Sequence, residues 1–311
     1  MTIVLFGGSG MVGRNVLDLA AARGLDILAP TRAEVDVLSA HAVQAYLKRV
    51  QPEAVIHAAG RVGGIQANMR EPVRFLVDNW DMGRNIVLAA REAGVRKLIN
   101  LGSSCMYPRN SPHALREEDI LSGPLEPTNE GYALAKCSVA RLCQYIGVED
   151  SRFQYKTLVP CNLYGKYDAF DPARSHMAAA VIAKIHDANV TGAAVVDIWG
   201  DGTARREFLY AGDLAAAILR GLDQYDTLPP LMNIAPGRDW TVNEYYTLVA
   251  EVIGYQGCFR HDLTKPVGMS QKPTDVSKMK AWGWMPGTGL RDGVEAAYTS
   301  YRQTLHESVS A

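Results

Sequence analysis

Chemistry can be read from four residues, Ser103, Cys105, Tyr132 and Lys136. The first two stand in Gly102-Ser103-Ser104-Cys105-Met106-Tyr107-Pro108, directly after the apolar run Lys97-Leu98-Ile99-Asn100-Leu101. That run reads as a buried strand, and ligands of an open parallel sheet bind beyond the carboxyl ends of its strands. Tyr132 and Lys136 lie four apart in a helical pattern, so they share one face, about 5–6 Å apart at Cβ. A hydroxyl, a thiol, a phenol and an ammonium are thereby brought to one place. A phenol titrates near about pH 10 and is a poor proton carrier at neutrality. A lysine one turn away favours its phenolate. With a serine to hold a carbonyl, the set suits hydride transfer to a ketone with proton relay. Tyr-x-x-x-Lys alone is weak, because it arises by chance on many helix surfaces. It becomes specific when it follows a serine-bearing strand end and a glycine turn.

The elements that must position these groups come earlier in the chain. Thr2–Phe6 is a short β-branched run, followed by Gly7-Gly8-Ser9-Gly10-Met11-Val12-Gly13 and a helical pattern over Arg14–Arg23. Strand, glycine turn and helix N-terminus are what a dinucleotide phosphate needs: close backbone approach, free N–H groups and a positive dipole end. Gly7, Ser9, Gly10, Met11, Val12 and Gly13 are the candidate phosphate contacts. The second strand, Asp26-Ile27-Leu28-Ala29, ends at Pro30-Thr31-Arg32 with no acid at its tip. An acid there would hold the 2′-hydroxyl of NAD, whereas Arg32 can pair with the 2′-phosphate of NADP. Asp36 and Val37 would border the adenine. Ala54–Ala59 is a third strand, bringing Ala58 and Ala59 to the cofactor; His57 within it reads as a satisfied core or strand-end histidine. Gly60-Arg61-Val62-Gly63-Gly64 then forms a flexible loop over the cofactor. A helix from about Arg74 to Ala93 leads to the fourth strand, Lys97–Leu101. This alternation predicts an α/β protein with a Rossmann-like, doubly wound parallel sheet. After a strand over Tyr155–Pro160 the alternation weakens, and the C-terminal pieces read as a smaller substrate domain.

Composition narrows the class. The 311 residues carry 32 Lys plus Arg against 33 Asp plus Glu, so no basic field drives nucleic-acid binding. No apolar run spans a bilayer, and the apolar start is too short for a signal peptide core. The cysteines at 105, 137, 143, 161 and 258 show no metal spacing. An odd count with one candidate active thiol predicts a reducing, cytoplasmic setting.

Nearly the whole chain resembles the extended short-chain dehydrogenase/reductase family, in its GDP-L-fucose synthase branch. The matches are Val62-Gly63-Gly64-Ile65, Leu101 to Pro108, Leu125-Glu126-Pro127-Thr128-Asn129-Glu130, Asn162-Leu163-Tyr164-Gly165, Ser175-His176 and Arg206-Glu207-Phe208-Leu209. Sugar-nucleotide dehydratases carry an Asp-Glu pair where this chain has Ser104-Cys105. The resemblance implies NADPH-dependent 3,5-epimerisation and 4-reduction of a GDP-4-keto-6-deoxy sugar. Ser103, Tyr132 and Lys136 would serve reduction, Cys105 would be the base and His176 the acid. Tyr132, Lys136, Asn162, Leu163 and His176 would also touch the cofactor, and Lys184, Trp199, Arg206 and Lys272 the substrate. Without the family, Cys105 reads as a buried small hydrophobe, His176 as a loop residue and Arg206 as an interdomain ion pair.

The resemblance divides the chain into an NADP-binding unit, 1–161 with 204–231, and a sugar-nucleotide-binding unit, 162–203 with 232–311. It adds a homodimer formed by the Tyr132 helix and the 74–93 helix. The stripe Ala135, Val139, Leu142, Cys143 and Ile146 reads equally as core against the sheet. The family pattern is departed from at Ser9, at Lys184, and in Lys265-Pro266-Val267-Gly268-Met269-Ser270-Gln271-Lys272. These changes leave other GDP-keto sugars open, as in colitose or 6-deoxyheptose synthesis. A 4-epimerase holding NAD and a non-catalytic nucleotide sensor are the remaining readings; the retained Tyr132 and Lys136 oppose the sensor.

Overall fold

A computed structural model describes residues 1–111, 113–171, 175–265 and 273–309. Six parallel strands form the central sheet, in the order Ile27–Leu28, Ile3–Phe6, Ala54–His57, Lys97–Leu101, Lys156–Pro160 and Leu231–Ile234. Their near-continuous apolar runs follow from burial on both faces. Alternate residues serve opposite layers. Ile3 and Leu5 join the core under the helices Met11–Ala22 and Ala211–Asp223. Val4 and Phe6 join the core under Ala40–Val50, Pro72–Glu92 and Glu130–Glu149. The doubly wound α/β expectation is met. From Ile3–Phe6 the chain steps to one side of the sheet, then returns to build the other. The crevice at that reversal opens beside Gly7.

The helices start and stop for local reasons. Ser39 Oγ accepts the Ala42 N–H at the start of Ala40–Val50. Thr241 and Glu244 form a reciprocal cap on Val242–Ile253, which ends at Gly254 in the left-handed region. Pro72–Glu92 and Glu130–Glu149 approach closely because Gly83 has no side chain: a Cβ there would lie 2.3 Å from Val139 Cγ2.

A second core forms from the C-terminal pieces. Met177–Thr191, Val242–Ile253 and Leu290–Val309 pack around Tyr164, Ile185, Ile198, Tyr245 and Tyr301. Val195–Trp199 pairs in parallel with Cys258–Asp262, a strand the sequence pattern did not announce. The strand Leu231–Ile234 completes the main sheet, and Val276 and Met279 pack on that sheet's core. Both lie at or beyond the expected boundary at 231/232.

Candidate active site

The glycine turn is built for close approach. Gly7 has φ +92°, and a Cβ on it would lie 2.5 Å from the Ala58 carbonyl carbon and the Ala59 nitrogen. A Cβ at Gly13 would lie 2.1 Å from the Gly7 oxygen. The turn therefore sits directly against Ala58 and Ala59. Gly10 caps Met11–Ala22 with no side-chain bond, and the first turn holds no acid. Its N–H groups point to an anion rather than to a cap, so the cradle fits a dinucleotide phosphate. Arg32 is exposed. The two acids nearest it are engaged by backbone: Glu34 accepts from Thr31 at 2.7 Å, and Asp36 from Leu38 at 3.1 Å.

Past Leu101 the chain enters a short 3₁₀ turn, Ser104–Met106, with Ser103 at its N-cap. Ser103 Oγ accepts the Cys105 N–H at 3.3 Å. Lys136 donates to the Leu101 carbonyl at 2.8 Å, and its ammonium lies 5.8 Å from the Tyr132 ring centre. Burial lowers Lys136 to about 8, opposed by the charge of the nearby Cys105. Burial also raises Tyr132 above the ordinary phenol range, with Cys105 adding to the effect and Ser103 opposing it. Desolvation therefore works against the phenolate that the neighbouring lysine was expected to favour.

His176 is the N-cap of Met177–Thr191. It keeps an exposed edge, yet the desolvating wall around it lowers its pKa. The Gly60–Gly64 loop spans the gap between the two groups. A Cβ at Gly60 would lie 3.8 Å from Lys136 Nζ, and one at Gly64 would lie 3.4 Å from the Ser175 carbonyl oxygen.

The profile of the NAD dependent epimerase/dehydratase family matches residues 3–235. The chain belongs to that family. It is 49% identical to a GDP-L-colitose synthase from Yersinia pseudotuberculosis, over 94% of this chain and 96% of the relative. It is also 49% identical to a GDP-L-fucose synthase from Azorhizobium caulinodans, over 96% of each. Among solved structures, a GDP-mannoheptose C4 reductase from Campylobacter jejuni with NADP bound superposes with TM-score 0.88 at 26% identity, covering 97% of this chain and 98% of that one.

In this member of the epimerase/dehydratase family the remaining candidates lie after residue 161. Asn162, in the strand Asn162–Tyr164, donates to the Glu207 carbonyl at 3.1 Å, with Leu163 next to it. Arg206 lies in a two-residue strand and donates to the Arg205 carbonyl at 2.7 Å. Burial lowers its pKa. Trp199 is half exposed at a strand end, with Lys265 Nζ 5.9 Å from its ring centre. Lys184 donates to the Asp197 carbonyl, which turns it toward its own strand neighbour. Lys272 lies outside the described residues.

Three features escaped sequence reading. His57 is buried with Nδ1 unpartnered among the described residues, and burial, with help from the Lys136 charge, presses it to about 3. It is a neutral histidine of the core. Asn233 is a buried hub: it accepts from Tyr107, donates to Glu117 at 2.8 Å, and holds the Leu115 and Asp275 carbonyls at 2.9 and 3.0 Å. Asn129 donates to Cys105 Sγ at 3.1 Å. Only Asn129 had a sequence signal, its place three residues before Tyr132.

Proposed function

We propose that the chain is an NADPH-dependent 3,5-epimerase/4-reductase of a GDP-4-keto-6-deoxyhexose, forming GDP-L-fucose. The observation that carries this reading is one thiol, Cys105, held between the Ser103–Tyr132–Lys136 set and the start of the tyrosine's helix. The 4-ketone of such a sugar acidifies the protons on C3 and C5. Cys105 as thiolate takes one: the C–H bond breaks, an S–H bond forms, and the electron pair moves onto the ketone oxygen as an enolate. His176 returns a proton to the opposite face of the ring.

Reduction uses the same ketone. Ser103 holds the C4 oxygen by hydrogen bonding, and the neutral Tyr132 gives it a proton. Lys136, anchored on Leu101, orients the phenol. NADPH, when bound, supplies the hydride. Gly7, Ser9, Gly10, Met11, Val12 and Gly13 would hold its pyrophosphate, and Arg32 its 2′-phosphate, with Asp36 and Val37 beside the adenine. The engagement of Glu34 and Asp36 by backbone supports NADP over NAD. Arg206, Trp199, Lys184 and Lys272 are assigned to the GDP end, where a guanidinium fork and a half-exposed indole suit phosphate and base.

A homodimer is part of the reading. The expected stripe is core, since Ala135, Val139, Cys143 and Ile146 are buried. The opposite faces of the two helices nevertheless expose Val73, Val77, Leu134, Tyr145 and Val148, an apolar surface suited to a second copy. Among the described residues no helix is long and apolar enough to cross a membrane. All five cysteines are free, which supports a reducing cytoplasm.

The deciding experiment follows NADPH oxidation with GDP-4-keto-6-deoxymannose in D2O and identifies the product by NMR. GDP-fucose carrying deuterium at C3 and C5 is expected. Reduction without exchange removes Cys105 and His176 from their roles. The colitose reading is favoured by the equally identical Yersinia relative, and preferential turnover of the 3-deoxy keto-sugar would select it.

A further inference from the structure

Asn129 occupies the N-cap of Glu130–Glu149, the helix that carries Tyr132 and Lys136. An asparagine in that place ordinarily accepts an N–H of the first turn through Oδ1. Here it makes no such bond. Among the described residues its buried Oδ1 has no partner, and its Nδ2 is turned onto Cys105 Sγ at 3.1 Å. A buried carbonyl oxygen left unpaired is costly, so the local fold forgoes both a cap and a satisfied acceptor to aim this amide at the sulfur. The preceding residues hold it there. Glu126 accepts the Thr128 hydroxyl at 3.0 Å, and the Asn129 N–H donates to the Glu126 carbonyl at 3.2 Å.

We propose that Asn129 is the positioning residue of the Cys105 base, its amide N–H orienting the sulfur and stabilising thiolate over thiol. This deepens the reading of Cys105 as base and rests on it. A hydrogen bond donated to the charged form favours that form. The other titratable groups that interact with Cys105 are Tyr132, Lys136 and Cys137. The phenol and the second thiol are neutral near pH 7, whereas the Lys136 ammonium, hydrogen-bonded to Leu101, also attracts a thiolate through its charge. Asn129 is thus the side chain that donates directly to Sγ among the described residues. The first turn behind it belongs to a 20-residue helix and carries one acid, Glu130, whose carboxylate offsets the positive helix end.

The test compares Asn129→Ala, Asn129→Ser, which keeps a capping hydroxyl, and Asn129→Asp, which replaces a donor by an anion. Iodoacetamide labelling of the Cys105 peptide is followed by mass spectrometry across pH, because Cys258 is also exposed. The labelling midpoint should rise by about one pH unit in the Ala and Ser variants and further in the Asp variant. Deuterium exchange into the keto-sugar should fall about tenfold at neutrality and recover at higher pH, with NADPH binding intact. An unmoved midpoint in all three variants overturns the proposal, as does exchange lost equally at every pH. Cys105→Ser separates the two levels: if it still exchanges C3 and C5, the base assignment itself fails, whatever Asn129 does.

Discussion

The reactive groups differ from free amino acids because of what surrounds them. Tyr132 and Lys136 are desolvated together, so the phenol stays protonated and the ammonium is weakened to about 8. In the proposed reaction the phenol is the proton donor for C4. Tyr132→Phe should lower NADPH oxidation by about 10²–10⁴-fold, the usual range for a general acid, while deuterium exchange at C3 and C5 continues. Lys136 is charged below about pH 8 and neutral above it, so its orienting ammonium is present on the acid side. The kcat/KM for reduction should therefore fall as pH rises through about 8. In Lys136→Arg, whose cation does not titrate in this range, that alkaline limb should vanish although the rate is lower. A limb of unchanged position in the arginine variant would assign it to another group.

At the scale of elements, the site depends on a helix pair held at unusually short range. Gly83 meets Val139 across Pro72–Glu92 and Glu130–Glu149, and the second of these helices delivers Asn129, Tyr132 and Lys136. Gly83→Ala should overpack the pair and cost about 1–3 kcal/mol in urea denaturation. Val139→Ala in the same chain should recover part of that loss, because the clash and the cavity share one space. Simple addition of the two single effects would show that the helices shift apart instead. The Ser103 turn is held from its other end by Tyr107 on Asn233 and so reaches the Pro273–Asp275 segment.

At the scale of the molecule, burial couples the packing of Glu207 against Thr274 to pH. Glu207 is 3% exposed, and its carboxylate accepts the Thr274 N–H at 2.9 Å. Burial raises its pKa from 4.5 to about 7, against the Thr274 bonds. Its folded pKa is the higher one, so its stabilising share is complete below 4.5 and is lost as pH rises through about 7. The loss amounts to about 3 kcal/mol at most. Glu207→Gln should flatten the decline in Tm between pH 5 and 8; an identical decline would place the titration elsewhere. Assembly is tested on the apolar faces of the paired helices. Tyr145→Asp with Val148→Asp should convert a dimer to monomer in analytical ultracentrifugation, with the far-UV spectrum preserved.

What was legible in the sequence was whatever depends on local period and spacing. Apolar runs marked the strands, Gly7, Gly10 and Gly13 marked the cradle, and Ser103, Tyr132 and Lys136 were placed by strand end and helical pitch. These follow from backbone geometry that neighbouring residues impose on each other. Long-range packing decided the rest. The pairing of Val195–Trp199 with Cys258–Asp262 joins residues about 60 apart in sequence, as the register Val195 with Cys258 shows. Whether Tyr132 is phenol or phenolate depended on desolvation by distant chain. So did the turn of Asn129 onto Cys105 and the burial of His57. A side chain's type states which proton or bond it can carry; only the folded surroundings set its charge and its aim.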